Sequence, residues 1–282
     1  MPVQLRSVMT RVVVGATVGA GLMAALPATA SATDIPVYHW NMKGGCPDVG
    51  GNPVDDGNCG GLEAANHLIN RVINASSRPW HITLNEVCTP QFTQMKAYLQ
   101  TVGYSGVFTV TNPSTNCGEH GNAVFTLGVP AVAKSWNLPS QTGEPDIRKI
   151  TCLPMATLLG NRKVCVSHLT NGNSGNRYNQ DLGAADKATN WNSSYPTIAG
   201  LDRNSTAQEY AWNASYKEID NTGKGTSKSY ETVRGKIDWV YGSFNGNAQN
   251  TAASVECALG GMSIVPGRYL SDHCLIKGKF II

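Results

Sequence analysis

The chain has 282 residues, 41% hydrophobic and 15% charged, with a formal net charge of +3. That is enough for a sizeable core in one large or two small globular domains. Thirty glycines and fourteen prolines imply short strands and many loops. No fixed-period repeat, low-complexity tract or long linker marks a second domain, and the charge is too balanced to argue by itself for a polyanionic partner.

The N-terminus reads as a secretory signal peptide over residues 1–32. Arg6 and Arg11 form a basic start, Val12 to Leu26 is an apolar run broken only by small residues, and Ala30-Ser31-Ala32 is a small-residue cleavage site. The run is short for a membrane span. A single exported domain over residues 33–282 is therefore expected. Without Arg6 and Arg11 it carries 20 basic residues against 19 acidic, a net charge of +1. All eight cysteines lie in this part. An even count in an exported chain points to disulfides, and no CxxC pair favours thiolate metal binding. Sequential pairing is expected: 46–59, 88–117, 152–165 and 257–274. The 152–165 bridge is favoured because both cysteines lie in β-like segments joined by Gly160-Asn161.

In chain order, Ile35–Trp40 reads as a strand ending at Asn41, and Gly44–Gly60 as a loop. Leu62, Ala65, Leu68, Ile69, Val72 and Ile73 recur at helical spacing over Gly61–Asn74. Trp80–Val87 is a second strand. Thr89-Pro90 opens a helix that Gly103 stops. Strands follow at 106–111, 122–127, 147–152 and 163–167, then a loop over 170–177 and a helix over 180–188. Ile198–Leu201 is an apolar strand running out into Asp202-Arg203-Asn204. Residues 207–216 read as helical, 218–234 as a polar loop and 236–242 as a strand. A loop over 243–253 and strands at 254–259 and 273–280 close the chain. Strands outnumber helices and the two are mixed, which suggests an α/β or α+β sandwich.

Chemically capable residues sit at the loop-facing ends of these strands. Asn41, Glu86, His168, Asp202, Asn204, Asp238 and the pair Asp272-His273 are such residues. Each alone reads as a strand end, turn or cap. Together they are the inventory of a metal-assisted hydrolase. Hard oxygen ligands without an HExxH or cysteine site favour Mg²⁺, or Ca²⁺ or Mn²⁺, over zinc.

Taken in order, WNMKGG, TLNEVC, VSHLT, GLDRN, KIDWV and SDH resemble the successive motifs of the endonuclease/exonuclease/phosphatase superfamily, across about Val37 to Ile281. The resemblance implies a DNase I-like, four-layer α/β sandwich of two packed, mainly antiparallel β-sheets flanked by helices. It also implies hydrolysis of phosphate esters with a divalent cation. Carried over, Asn41, Glu86 and Asp272 resemble metal ligands. Asp202 and Asn204 resemble the pair that contacts the scissile phosphate, nucleophile or metal. Asp238 and His273 resemble the dyad that activates water, and His168 the histidine that stabilises the phosphorane or assists the leaving group. Three departures stand out. Leu201 precedes Asp202 where the family has Gly, with Gly200 one place early. Asn85 stands where Gln usually precedes the metal-binding Glu. The acidic partner of the first histidine is assigned to Glu119.

These residue types suit the chemistry. Phosphodiester hydrolysis needs an in-line water, charge neutralisation at the non-bridging oxygens and help for the leaving oxygen. Histidine titrates near neutral pH, so one held by a carboxylate can accept the water's proton. Nucleic acid is the leading substrate, on the strength of Lys217, Lys224, Lys228, Arg234 and Lys236 before the Asp238 strand. Arg203, inside the active motif, is the residue expected to write substrate choice. Trp191 and Tyr195 could stack bases or pack in the core. Sphingomyelinase or another phosphoesterase of the same fold is the alternative, and a non-catalytic binding module a further one. The Asn/Gly/Ser-rich loops count against stable membrane association, and a monomer is expected.

Overall fold

The structure is a computed structural model, and it describes residues 34–42, 61–115, 117–140, 142–157, 160–206, 212, 216–219, 228–229, 232–233, 237–243, 249–256, 271 and 273–281. The proposed signal peptide, the 46–59 bridge, Cys257, Asp272, Lys224, Arg234, Lys236 and most of the 207–216 segment lie outside them.

The elements run β1 (Asp34–Asn41), α1 (Gly61–Ile73), β2 (His81–Cys88), α2 (Thr89–Gln100), β3 (Tyr104–Thr115), β4 (Gly118–Leu127), β5 (Val129–Pro130), β6 (Lys134–Asn137), β7 (Lys149–Thr157), β8 (Gly160–His168), α3 (Ser174–Asn190) and β9 (Thr197–Asp202). Then come β10 (Lys217–Glu218), β11 (Lys228–Ser229), β12 (Thr232–Val233), β13 (Asp238–Ser243), β14 (Gln249–Glu256) and β15 (Leu275–Ile281). One sheet has the order β14-β15-β1-β2-β4-β3, and the second β10-β13-β9-β8-β7-β5, with β6 also on β7. Pairing is mainly antiparallel; the parallel pairs are β1·β2 and β8·β9. The apolar clusters define four layers. Tyr38, Trp40, Ile82, Leu84 and Phe125 pack outward under α1 and α2. Ile35, Val37, Ile198, Val240 and Ile276 fill the space between the sheets. Ala199, Leu201 and Tyr241 pack outward against Ala184, Ala185 and Ala188 of α3. The expected sandwich is the observed one.

Period-2 alternation positions the site. On β1, Ile35 and Val37 face the other sheet, so His39 and Asn41 do as well. On β9, Ile198 faces inward, and Gly200 and Asp202 follow. On β13, inward Val240 places Asp238 on the same face. At one end of the sandwich this inter-sheet face therefore changes from aliphatic to polar. Asn85 ties the two sheets beneath that end. Its Nδ2 donates to Asn122 Oδ1 (2.9 Å) and the Ser167 carbonyl (3.0 Å), and its Oδ1 accepts from the Asp202 N–H (3.0 Å). A buried amide with its donors and acceptor used is a specific cross-brace.

Two disulfides of the expected set are present, Cys88–Cys117 and Cys152–Cys165. The second joins residues directly opposite each other on β7 and β8. Cys274 is also disulfide-bonded. Helix α3 begins six residues before the expected start. Asn173 caps it by accepting from the N–H groups of Gly175 (2.8 Å) and Asn176 (3.3 Å), so a strong N-cap starts the helix ahead of its apolar stripe. Strand β14 likewise starts at Gln249, inside the expected loop, where pairing with β15 overrides its polar composition. No described helix is long and apolar enough to cross a membrane.

Candidate active site

The site forms where β1, β2, β8, β9 and β13 end together. Asn41, fully buried, donates from Nδ2 to both Glu86 Oε1 (2.9 Å) and Asp202 Oδ2 (2.8 Å). One amide thus holds two carboxylates side by side. Simple alternation along β2 would turn Glu86 away from the inner face. A register shift between Leu84 and Val87 against β4, with Glu86 at φ 52°, turns it in. Bulges re-aim side chains in this way, and a left-handed non-glycine residue costs on the order of 1 kcal/mol.

Asp202 ends β9 with 1% of its surface exposed. Its Oδ1 accepts from the Asn204 N–H (2.9 Å), and its Oδ2 lies 3.5 Å from His168 Nε2 and 3.7 Å from His273 Nε2. Burial, and next the nearby Asp238 carboxylate, push the Asp202 carboxyl up to about 7. Asn204 departs from the alternation of β9. Its φ of 50° bends it into a left-handed turn, from which Nδ2 reaches the Leu169 carbonyl (2.9 Å) and His168 Nε2 (3.2 Å). Such a turn, closed by the preceding Asp, suits Asn. Burial, then the neighbouring Arg148 and His120, hold His168 well below the usual histidine range. In the tautomer protonated at Nδ1 its Nε2 presents a lone pair, which the Asn204 amide can meet as donor.

His273 Nδ1 lies 2.8 Å from Asp238 Oδ2. The loop carrying it is pinned to β1: Ser271 Oγ donates to the Asn41 carbonyl (2.6 Å) and accepts from the His273 N–H (3.0 Å), while Trp40 Nε1 donates to the His273 carbonyl (3.1 Å).

Among the described residues, two groupings could hold a cation: Glu86, His168 and Asp202, and Asp202, Asp238 and His273, with the ligand atoms of each set within 4.8 Å of one another. The first set fits a divalent ion well. Two carboxylates and an imidazole converge, and a cation there would offset the burial and the Asp238 charge that raise Asp202.

Arg203 and Glu119 do not take the expected roles. Arg203 is 0% exposed. Its Nε and Nη2 donate to Asp181 on α3 (3.1 and 2.9 Å), its Nη1 donates to the Tyr241 hydroxyl (2.9 Å), and its guanidinium stacks over Trp239. It joins α3 to the outer face of the second sheet and is shut away from substrate. Asp181 also accepts from Trp212 Nε1 (2.9 Å). Arg203→Ala therefore leaves a buried carboxylate short of its charge partner. The expected cost is about 3–5 kcal/mol in urea unfolding, with no rescue by Lys, which lacks the planar fork. Glu119 is exposed, and its carboxylate accepts from Thr89 Oγ1 (3.4 Å) rather than meeting His168. The next residue, His120, is the one turned inward, 5% exposed with Nε2 3.9 Å from Glu86 Oε2. Trp191 packs edge-on against Trp136 (5.2 Å between centroids), the core role.

Sequence reasoning missed His39, Thr83, His120 and Asn122, all buried at this end of the sandwich. The available signal was alternation: polar residues at inner-face positions of strands that are otherwise aliphatic.

No family model and no curated protein sequence matches the chain. Solved structures do, across most of its length. An endonuclease/exonuclease/phosphatase structure from Bacteroides vulgatus is 16% identical, with a TM-score of 0.65 over 88% of this chain and 98% of that one. D. rerio TDP2 complexed with single-strand DNA product is 14% identical, at 0.65 over 88% and 99%. A mannosyl-6-phosphatase of Bacteroides thetaiotaomicron is 15% identical, at 0.64 over 88% and 100%. The fold is the α/β sandwich of the DNase I-like class. Within that class it is the fold of endonuclease/exonuclease/phosphatase structures.

Proposed function

We propose that the protein is a secreted, divalent-cation-dependent phosphodiesterase that hydrolyses nucleic acid. The observation that carries the reading is the His273–Asp238 pair at 2.8 Å, with His273 Nε2 opening toward Asp202 and the Glu86–His168–Asp202 cluster. A base held by a buried carboxylate, beside a cation-ready cluster, is what hydrolysis of a phosphate ester needs. Asp238 accepts from His273 Nδ1–H, fixes the tautomer that leaves Nε2 as acceptor, and stabilises the imidazolium once Nε2 takes the proton of a water. When His168 Nε2 turns to a cation, the Asn204 N–H that meets it at 3.2 Å is released and can donate to a phosphate oxygen without adding negative charge, the other staying on the Leu169 carbonyl. Glu86, Asp202 and His168 would hold the cation, which when bound supplies Lewis acidity at the phosphoryl oxygens. Asn41 holds the two carboxylates in register, and Asp272, outside the described residues, stays a candidate ligand. Mg²⁺ is the leading ion, with Ca²⁺ or Mn²⁺ next.

Nucleic acid leads as substrate because the TDP2 structure of this fold holds a DNA product. The mannosyl-6-phosphatase of the same fold makes a phosphomonoester the second reading. Export rests on the N-terminal pattern and the disulfides. The protein is read as one catalytic domain after residue 32, monomeric and without stable membrane association.

Purified protein is expected to nick supercoiled plasmid or degrade RNA in Mg²⁺ and to stop in EDTA. Cleavage that persists in EDTA would remove the cation. Turnover of p-nitrophenyl phosphate or sphingomyelin alone would reassign the substrate, and no cleavage of any ester would leave a binding module.

A further inference from the structure

His39 stands on the inner face of β1, directly behind the dyad, with none of its surface exposed. A buried imidazole in an otherwise aliphatic stripe is costly unless its nitrogens are used. Nδ1 lies 2.9 Å from Thr83 Oγ1 and 3.1 Å from the Thr83 carbonyl. Nε2 lies 3.8 Å from Asp238 Oδ1, the oxygen turned away from His273, and makes no side-chain hydrogen bond among the described residues, while the Leu201 backbone also holds the ring. Closing that gap by about 0.9 Å makes a hydrogen bond.

At Nδ1 the Thr83 carbonyl can accept an N–H, and the Thr83 hydroxyl can donate to a lone pair by turning its proton from the Tyr38 carbonyl, a longer contact at 3.4 Å. The choice is therefore set at Nε2, and Asp238 offers only an acceptor there. The ring is neutral, because burial pulls its pKa down to about 4 against the opposing pull of Asp238. The room for this arrangement comes from Gly200. A Cβ at that position would fall 2.0 Å from Thr83 Oγ1 and 2.6 Å from His39 Nδ1. The glycine that precedes the Leu-Asp-Arg-Asn motif is thus the floor on which His39 and Thr83 sit.

We propose that His39 is a positioning residue for Asp238: its Nε2–H holds Oδ1, completing a chain of Thr83 hydroxyl, His39, Asp238 and His273. With both carboxylate oxygens held, Asp238 cannot rotate, and the His273 ring keeps one orientation. As a role in catalysis this rests on the phosphodiesterase reading; as a structural claim it does not.

The tautomer is read first, in the intact wild-type protein labelled with ¹⁵N-histidine, by long-range ¹⁵N–¹H correlation. His39 is expected protonated at Nε2 and bare at Nδ1; the reverse overturns the proposal. His39→Phe keeps volume and removes the donor. It is expected to lower kcat on a nitrophenyl diester about 10- to 100-fold, the usual range for an outer-shell partner, with KM within about twofold, and to shift the downfield His273 Nδ1–H proton signal. His39→Gln, which restores a donor, is expected to recover most of both. Should the Phe variant not fold, Thr83→Val removes the hydroxyl donor to Nδ1 and is expected to raise the Nδ1–H population and move the same His273 signal. A folded Phe variant, or the Val variant, with an unmoved His273 signal would also overturn the proposal. A wild type that cleaves no diester fails the reading of function, while the tautomer and the signal still decide the role of His39.

Discussion

His273→Ala is expected to lower kcat for diester hydrolysis by about 10³-fold, within the range a positioned general base contributes. KM should stay within a few-fold, because the cation cluster Glu86–His168–Asp202 and the Asn204 donor are untouched. Asp238→Asn should cost a similar factor. Its amide can present N–H instead of an acceptor to His273 Nδ1, now 2.8 Å from Oδ2, and so favours the tautomer with Nε2 protonated. The double variant should be no worse than either single change by more than a few-fold, since residues that act as one unit are non-additive. Full additivity would show that the two act separately, and near-native turnover in His273→Ala would remove it as the base. Circular dichroism on each variant separates these outcomes from misfolding. His273 is anchored through its backbone by Ser271 and Trp40, so the loop should hold without the imidazole.

How much of this was open to a reader of the chain depends on what kind of signal each residue leaves. Strand ends carry the site, and a polar residue closing an apolar run is visible. Asn41, Glu86, His168, Asp202, Asp238 and His273 were all found that way or through their ordered motifs, and the structure gathers them. The bulge that aims Glu86 was not visible, because one extra residue on β2, between Leu84 and Val87, leaves no mark in composition. Arg203 was misread for a physical reason: a charged residue between two site residues defaults to the surface. Its partner Asp181 lies 22 residues upstream, on a helix whose packing nothing local announces. His39 was hidden differently. Inside IPVYHW it counts as one more strand residue, and only the partner sheet, with Gly200 opposite, shows why a histidine fits there.

The crowding of Asp202 sets the second large effect, on stability. Its carboxyl is raised from 3.8 to about 7, chiefly by burial. Between those values the folded protein holds a proton that the unfolded chain has released. Stability from this group is therefore fully present below about pH 4, falls as pH rises through about 7, and is flat above. A three-unit rise at 1.36 kcal/mol per unit gives an upper bound on the order of 4 kcal/mol. Other acids with depressed pKa values push the opposite way, so the absolute profile is not the test. The difference between wild type and Asp202→Asn is. In EDTA, the Asn variant is expected to be more stable than wild type at pH 8 by up to that amount, and to lose the advantage at pH 4. Mg²⁺ or Mn²⁺ should stabilise wild type at pH 8, act less at pH 5 where a proton competes for Asp202, and act weakly on the variant. Urea titrations at each pH, with and without cation, measure all three. If Asp202→Asn is destabilised at pH 8 in EDTA, the carboxylate is satisfied within the protein and the cluster is a hydrogen-bonded brace. If it is stabilised there and loses its response to cation, the same carboxylate that strains the fold is the one that holds the ion.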